Sequence, residues 1–314
     1  MFLGVDIGGT KCAVTLGDDN GNVIEKERFL TTSVNETIEN IIFYAKKLSQ
    51  DKNILSAGVS CGGPLDEEKG IILSPPNLPG WDEIHIKEKL EEALNIPCGV
   101  RNDANACAMA EWYFGAGKGT KNMVFMTFGT GLGAGLILNG KLYSGTNGNA
   151  GELGHIRLGE TGPSGYGKCG SFEGFCSGSG LKEIGRAFAR EAIQRGETVP
   201  WIGENIDDFE VKDMADAARK GDEIALKAFE LCGTKLGVGL SMVIDLLNPE
   251  KIIIGSVYAR CEDLLKPYME KVLNIEALKP ALKVCKVVPP LLGENIGDVA
   301  ALAVAKEVYD ELRS

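Results

Sequence analysis

The feature that most constrains this chain is a glycine-rich stretch between two apolar runs. It reads Phe128-Gly-Thr-Gly-Leu-Gly-Ala-Gly135, with apolar residues at 124–126 before it and at 136–138 after it. An apolar run, a turn and a second apolar run predict a β-hairpin. Glycines at alternate positions let backbone approach a ligand and offer N–H groups to an anion such as phosphate. A glycine-rich turn without a ligand remains the alternative.

A second element of this kind opens the chain, as Phe2-Leu-Gly-Val-Asp6-Ile-Gly8-Gly9-Thr10-Lys11 before a returning strand at 12–16. Asp6 ends the predicted strand, where a carboxylate can hold hydrated Mg²⁺ while the turn's amides and the Thr10 hydroxyl meet phosphate. An Asp that caps its own turn is the alternative. The turn is neither a Walker loop nor a dinucleotide fingerprint. The similar units at 4–16 and 124–138 indicate a weak internal repeat.

A polar cluster follows a predicted strand at 97–100 and precedes a predicted helix at 106–114. It reads Arg101-Asn102-Asp103-Ala104-Asn105. Ligand and catalytic groups of α/β folds collect where strands end and helices begin. Asp103 could instead serve only as a helix N-cap. The neighbouring Asn102 favours a polar pair that faces a ligand.

An acid and an imidazole lie three residues apart in Gly151-Glu152-Leu-Gly154-His155, so on a helical turn they share a face. A hydrogen-bonded structural histidine is the alternative for His155. The Gly/Ser-rich run at 159–180 adds Cys169 and Cys176. Structural zinc requires four ligands and these three residues supply at most three, so zinc is disfavoured here but stays an alternative.

Composition narrows the class of protein. A chain of 314 residues predicts two domains. The formal net charge of −11 disfavours nucleic acid as a partner. Nine scattered cysteines, no signal-like start and no long apolar run predict a reduced, cytoplasmic protein that does not cross a membrane. Beyond residue 181 the spacing predicts mostly helices, with strands at 251–254 and 282–288 and a last helix at 299–312.

Together these motifs resemble the ROK sugar kinases (repressor, open reading frame, kinase) of the sugar kinase/actin-like ATPase superfamily. The two glycine turns match the family's phosphate motifs. Asn102-Asp103-Ala-Asn105, Gly151-Glu152-Leu-Gly154-His155 and Asn248-Pro249-Glu250-Lys-Ile-Ile-Ile-Gly255 match in order and spacing. The resemblance implies an α/β fold of two actin-like (ribonuclease H-like) lobes with an interdomain cleft. We predict lobes at 1–116 and 117–297, with the last helix, 298–314, packing back on the first.

The resemblance implies an ATP-dependent hexose kinase, acting on the 6-hydroxyl, in which Asp103 is the general base. Sugar contacts are implied for Gly63, Asn77, Asn102, Asp103, Glu152, His155 and Glu173. ATP contacts are implied for Asp6, Gly8, Gly9, Thr10, Lys11, Gly129, Thr130, Gly131, Gly133, Gly255 and Ser256. Mg²⁺ is expected at Asp6 through water. A homodimer is implied as well.

The chain departs from the family pattern in one loop. Members usually carry Cys-x-Cys-Gly-x-x-Gly-Cys, which binds structural zinc, where this chain reads Ser164-Gly-Tyr-Gly-Lys-Cys169-Gly-Ser171-Phe-Glu173. We therefore predict no zinc and a loop held by Tyr166, Phe172 and Phe175. The family's repressors carry an N-terminal helix-turn-helix, whereas this chain starts at the first strand, so DNA binding is not expected.

Other functions and other sugars stay open. The missing zinc cysteines are compatible with a weak or inactive sugar sensor of the same fold. An actin-like ATPase that polymerises is disfavoured by the Asn-Asp and Glu-x-x-His cluster. Glucose is the first expectation for the sugar. N-acetylmannosamine, N-acetylglucosamine, fructose, allose and a β-glucoside remain possible because one pocket contact can decide among them.

Overall fold

The computed structural model describes residues 1–313, which form two compact units. The first unit comprises residues 1–125, 135–150 and the segment that starts at Pro290. The second comprises residues 126–134 and 151–289. The division into lobes at 1–116 and 117–297 stays a prediction.

Strands and helices alternate along most of the chain. The strands are β1 (Phe2–Ile7), β2 (Lys11–Gly17), β3 (Val23–Leu30), β4 (Ser56–Cys61), β5 (Leu65–Asp66), β6 (Ile71–Ile72), β7 (Ile84–His85), β8 (Cys98–Asn102), β9 (Met123–Phe128), β10 (Leu132–Leu138), β11 (Lys141–Leu142), β12 (Ser164–Gly165), β13 (Lys168–Cys169), β14 (Lys251–Ile254) and β15 (Lys286–Val288). The helices are α1 (Val34–Ser49), α2 (Ile86–Leu94), α3 (Asp103–Phe114), α4 (Phe172–Phe175), α5 (Gly178–Gln194), α6 (Val211–Arg219), α7 (Glu223–Leu247), α8 (Val257–Arg260), α9 (Glu262–Glu276), α10 (Lys279–Val284) and α11 (Ile296–Glu311). Short 3₁₀ turns cover Leu153–His155 and Gly293–Asn295.

The two larger sheets have the same strand arrangement. The first has the order β3-β2-β1-β4-β8, and the second has the order β11-β10-β9-β14-β15. In each, three consecutive strands form one side and two strands reached through helices form the other. The predicted hairpins, β1–β2 and β9–β10, occupy equivalent places. The shared order agrees with the internal repeat that the sequence indicates.

The three parallel strands of the first sheet are largely buried, and their carboxyl ends lie at one edge. Strands β1, β4 and β8 run parallel, with Asp6 level with Ser60 and Cys61 level with Asn102. Their apolar residues, such as Val59, are fully buried. Helix α11 lies so close to β4 that a Cβ on Gly58 would come within 2.3 Å of the α11 backbone. Asp6 and Asn102 therefore lie near the carboxyl ends of β1 and β8, at one edge of the same sheet.

Three predicted elements differ from the structure. The strand predicted at 282–288 is wrong for its first half, because residues 279–284 form α10, with Pro280 in its first turn, and only 286–288 form a strand. Helix α3 begins at Asp103 rather than at Ala106. The last helix begins at Ile296, three residues before the predicted start.

Two further observations concern the whole described chain. Over residues 1–313 the structure has no helix with the length and apolarity that crossing a membrane requires. All nine cysteines are unpaired, and most are buried.

Candidate functional site

Asp103 lies where β8 ends and α3 begins, as the sequence predicts. The N-cap of α3 is Asn102, whose side chain accepts the Ala104 N–H at 2.9 Å. Asp103 occupies the first helical position, and its Oδ1 accepts the same N–H at 2.8 Å. The residue is exposed, yet desolvation by the surrounding protein raises the pKa of its carboxyl, while the Ala104 N–H acts in the opposite direction. The alternative that Asp103 serves only as the N-cap of α3 is therefore not supported, because Asn102 occupies that position.

Asp6, at the end of β1, carries a strongly perturbed carboxyl. Its pKa is raised to about 6, first by burial and then by the charges of Asp298 and Asp103. Lys26 and Arg28 lower it, and Lys26 forms an ion pair with Asp298. Asp298 is the residue that sequence reasoning missed here, because it lies at the far end of the chain on α11.

The surroundings of Asp6 fit a hydrated Mg²⁺. Mg²⁺ typically binds one or two carboxylates and keeps several waters. The ionised form of Asp6 is destabilised by burial and by neighbouring acids, so a bound cation would stabilise it. Within residues 1–313 no three His, Cys, Asp or Glu side chains are grouped to hold a metal directly. The geometry therefore agrees with contact through water rather than with a cage of protein ligands.

We expect the Asp6→Asn variant to be more stable than the wild type at pH 7. A pKa of about 6 in the folded state against 3.8 in the unfolded state corresponds to about 3 kcal/mol of lost stability when the carboxyl is ionised. The loss is absent below pH 3.8, grows as pH rises towards 6, and is complete above it. Urea denaturation in EDTA should show a gain of about 3 kcal/mol at pH 7, and most of that gain should vanish at pH 4.

Asp208→Asn is the matched control for this prediction. Asp208 is exposed and has no ion pair among the described residues, so its replacement should change stability by less than about 0.5 kcal/mol at either pH. Equal stabilities of wild type and Asp6→Asn at pH 7 would contradict the inferred burial cost.

The first glycine turn adjoins Asn77, one of the predicted sugar residues. A Cβ on Gly9 would lie 2.4 Å from the Asn77 carbonyl oxygen, so only glycine fits beside that loop. The backbone N–H groups of Gly9 and Thr10 have no acceptor in the described chain, whereas that of Gly8 donates to the Lys11 carbonyl.

Gly63 also lies at this edge of the sheet, because a Cβ on it would lie 3.2 Å from Asn102 Nδ2. The first unit therefore gathers a set of predicted residues, namely Asp6, Gly8, Gly9, Thr10, Lys11, Gly63, Asn77, Asn102 and Asp103.

Three N–H groups of the second glycine turn, between β9 and β10, donate hydrogen bonds that help to hold it. The Gly129 N–H donates to the Gly131 carbonyl at 3.0 Å, and the Gly133 N–H donates to Thr127 Oγ1 at 2.9 Å. The Leu132 N–H donates to Glu173 Oε2 at 2.9 Å. Among the described residues nothing accepts the N–H groups of Thr130 and Gly131. These two amides are the ones free to meet an anion.

Glu173 and His155 lie beside this turn in the second unit. Gly154 packs on β10 so closely that a Cβ on it would lie 2.5 Å from the Leu132 carbonyl oxygen. His155, next in the chain, is exposed and stacks on Tyr166, with ring centroids 4.0 Å apart. Glu152 is exposed at the start of the same 3₁₀ turn. Glu173 and the 3₁₀ turn that carries Glu152 and His155 thus both lie against Leu132.

The three aromatic residues predicted to hold the loop that replaces the family's zinc run differ in exposure. Phe172 and Phe175 are buried, and Tyr166, which is 50% exposed, stacks on His155. Cys169 is exposed and donates to the Gly162 carbonyl, while Cys176 is buried. In the described chain these cysteines and His155 form no metal-binding group.

A cavity of about 570 Å³ lies in the second unit next to the glycine turn. Its lining includes the predicted residues Gly129, Thr130 and Ser256. Ser256 has φ of +56°, a strained conformation that often marks a functional site. Gly255, which is not part of the lining, donates its N–H to the Met126 carbonyl at 2.9 Å.

Four cationic side chains of the cavity were not predicted from the sequence. Lys182, Lys212, Arg219 and Arg260 line it, together with the acid Glu210. Glu210 pairs with Lys182, and Asp263 holds Arg219 through two hydrogen bonds. A volume of this size with a cationic wall suits an anionic small molecule such as a nucleotide.

Comparison with known proteins supports one family. The chain matches the ROK family over residues 2–308. It is 32% identical over 311 residues to a glucokinase of Streptomyces coelicolor, with 98% of each chain covered. It is 30% identical over 292 residues to NagC of Escherichia coli, a DNA-binding transcriptional dual regulator, covering 88% of this chain and 68% of that protein.

A solved structure agrees with this assignment. The ROK family glucokinase from Streptomyces griseus, in complex with glucose and AMPPNP, superposes with a TM-score of 0.77 at 30% identity. The match covers 98% of this chain and 99% of that one. The resemblance and the actin-like α/β fold predicted from the sequence are confirmed.

Proposed function

Because the chain belongs to the ROK family, we propose that it is an ATP-dependent kinase that phosphorylates a hexose hydroxyl. The observation that carries the proposal is the exposed Asp103 carboxylate, held at the start of α3 and at the same sheet edge as Asp6 and the first glycine turn. The glucokinase relatives support a sugar as the acceptor.

The proposed reaction transfers the γ-phosphoryl group of ATP to a sugar oxygen. The bond from the sugar oxygen to the γ-phosphorus forms while the bond from that phosphorus to the β–γ bridging oxygen breaks, and ADP leaves. Asp103 accepts the hydroxyl proton, for which its raised pKa makes it a better base than an ordinary Asp. Catalysis of this kind depends mainly on positioning and charge neutralisation.

In the second unit we assign nucleotide binding to the cavity and to the glycine turn between β9 and β10, and in the first unit we assign it to the glycine turn between β1 and β2. The amides of Thr130 and Gly131, like those of Gly9 and Thr10, are available as donors to phosphate oxygens. The cavity beside Ser256 would hold the adenosine, and its cationic wall would favour the anionic ligand. Asp6 would hold Mg²⁺ through water, and Mg²⁺ supplies charge neutralisation at the β- and γ-phosphates.

The sugar contacts stay proposals, and the structure offers a donor or acceptor for several of them. Asn102 and Asp103 supply an amide and a carboxylate at one strand end, with Gly63 and Asn77 beside them. Glu173 and the 3₁₀ turn that carries Glu152 and His155, which both lie against Leu132, supply two carboxylates and an imidazole. Glucose phosphorylated at its 6-hydroxyl is our first choice, because the relatives include a glucokinase complexed with glucose.

A sugar-responsive sensor is the second candidate. The 30% identity with NagC favours it, since that relative is a transcriptional regulator. Such a sensor would bind a sugar through the same residues without turning over ATP. The exposed Asp103 and the free amides of both turns favour the kinase.

An ADP-release assay over a panel of sugars tests the proposal. We expect ATP-dependent turnover with at least one hexose from a panel of glucose, fructose, allose, N-acetylglucosamine, N-acetylmannosamine and a β-glucoside. Calorimetric titration of the same sugars runs in parallel. Sugar binding without ADP release would favour the sensor, and neither binding nor turnover with any sugar would refute both candidates.

A further inference from the structure

Glu67, on the loop between β5 and β6, contacts the segment that carries Asp103. Its Oε1 accepts the backbone N–H of Asn102 at 2.7 Å and the Nδ2–H of Asn105 at 3.0 Å. Its Oε2 accepts the hydroxyl of Ser144 at 3.2 Å. These partners are 35, 38 and 77 residues away in the chain, so one carboxylate joins the loop that carries it to two other segments of the first unit.

The bond to Asn102 fixes the backbone at the point where strand becomes helix. Asn102 is the last residue of β8, and its side chain caps α3 at Ala104. Asn102 is therefore held at two points. Glu67 accepts its backbone N–H, and the N–H of Ala104 in α3 donates to its side chain. Asp103 follows directly, and the direction of its carboxylate depends on that backbone.

The bond to Asn105 fixes a buried amide one turn further along α3. Asn105 is only 2% exposed, and its Oδ1 has no hydrogen-bond partner in the described chain. If the Asn105 amide were turned by about 180°, Oδ1 and Nδ2 would exchange places. Oδ1 would then face the Glu67 carboxylate, which can only accept hydrogen bonds. The carboxylate therefore determines the amide orientation and anchors the first turn of α3 at a second point.

From these contacts we propose that Glu67 is a positioning residue that orients Asp103 for proton transfer. The inference rests on the kinase activity proposed above. Glu67 acts through the Asn102–Asn105 turn and takes no proton from the sugar. A displacement of about 1 Å at a reacting group can lower a rate about 10²-fold, so loss of the anchor should reduce turnover.

Three variants separate positioning from charge and from general stability. In Glu67→Ala all three hydrogen bonds are lost, and we expect kcat to fall about 10- to 100-fold while KM for ATP changes less than about threefold. Glu67→Gln keeps an acceptor for Asn102 and Asn105, and its Nε2–H can donate to Ser144, so it should keep kcat within about threefold. Glu68→Ala, at an exposed neighbour without an ion pair among residues 1–313, is the control and should match the wild type.

A second readout is independent of activity. Amide hydrogen exchange at Asn102 should be faster in Glu67→Ala than in the wild type and unchanged in Glu67→Gln. The acid limb of the pH–rate profile should keep its position in both variants, because Glu67 is not the base.

The outcomes are distinguishable. Wild-type kcat in Glu67→Ala would overturn the proposal, as would an equal loss in Glu67→Gln and Glu67→Ala. If the wild type turned over no sugar, the kinase assignment would fall on its own. Amide hydrogen exchange at Asn102 would then decide whether Glu67 holds the Asn102–Asn105 turn. An unchanged exchange rate in Glu67→Ala would overturn that positioning role too.

Discussion

We expect kcat of the Asp103→Asn variant to be about 10²–10⁴-fold lower than that of the wild type, which corresponds to roughly 3–5 kcal/mol of lost transition-state stabilisation. Asparagine can still accept the Ala104 N–H through its Oδ1, so helix α3 should begin as in the wild type. What asparagine cannot do is accept the proton of the sugar hydroxyl. Steady-state ADP release measures kcat, and calorimetric titration of the sugar should give an affinity within about threefold of the wild type.

The pH dependence of the same variant provides an internal check. Desolvation by the surrounding protein raises the pKa of Asp103 above the ordinary 3.8, so the base form is lost as pH falls through a value higher than 3.8. Wild-type kcat/KM should therefore decline on the acid side above pH 3.8. Asp103→Asn should lack that limb, and the control Asp208→Asn should retain it.

The largest effect on stability is expected for Glu111→Ala, at about 3–5 kcal/mol. Glu111 is fully buried on α3 and accepts the backbone N–H groups of Ala116 at 2.6 Å, Leu291 at 3.2 Å and Leu292 at 2.9 Å. Its removal takes away the carboxylate that accepts these three partly buried N–H groups, and losing the acceptor of such a group costs about 1–3 kcal/mol. Urea denaturation measures the loss.

Two further variants define the cause of the Glu111 effect. Glu111→Gln keeps one acceptor oxygen but directs N–H groups at N–H donors, so it should fall between Glu111→Ala and the wild type. Glu39→Ala, an exposed change on α1, should stay within about 0.5 kcal/mol. If Glu111→Ala were as stable as Glu39→Ala, water would have to satisfy the three donors and the structural role assigned to Glu111 would be wrong.

Local sequence signals were enough to predict the strand ends that carry the candidate site. The apolar runs before Asp6 and before Asn102 form strands of one buried sheet, and the polar residues follow where each strand ends. The glycine turns were predicted in the same way, because an apolar run on each side of a glycine-rich stretch predicts a hairpin. Burial on both faces makes such strands continuous apolar runs in the sequence.

Residues whose role depends on distant segments could not be predicted. Glu111 and Glu67 look like ordinary charged positions, and most of their hydrogen-bond partners lie between 35 and 181 residues away. The cations of the cavity, such as Lys182 and Arg260, come from separate helices, and no spacing rule brings them together. The strand predicted at 282–288 was half wrong because a short apolar segment fits a strand and a helix turn equally well.

The most direct test of the account is single-turnover transfer of a labelled γ-phosphoryl group from ATP to glucose, with glucose saturating and the enzyme in excess over ATP. If glucose gives no turnover with the wild type, the active sugar of the panel takes its place. The account predicts rapid formation of the sugar phosphate by the wild type and a chemical step slower by about 10²–10⁴ in Asp103→Asn, with unchanged sugar binding. Transfer at the wild-type rate by Asp103→Asn would contradict the assignment of Asp103 as the base.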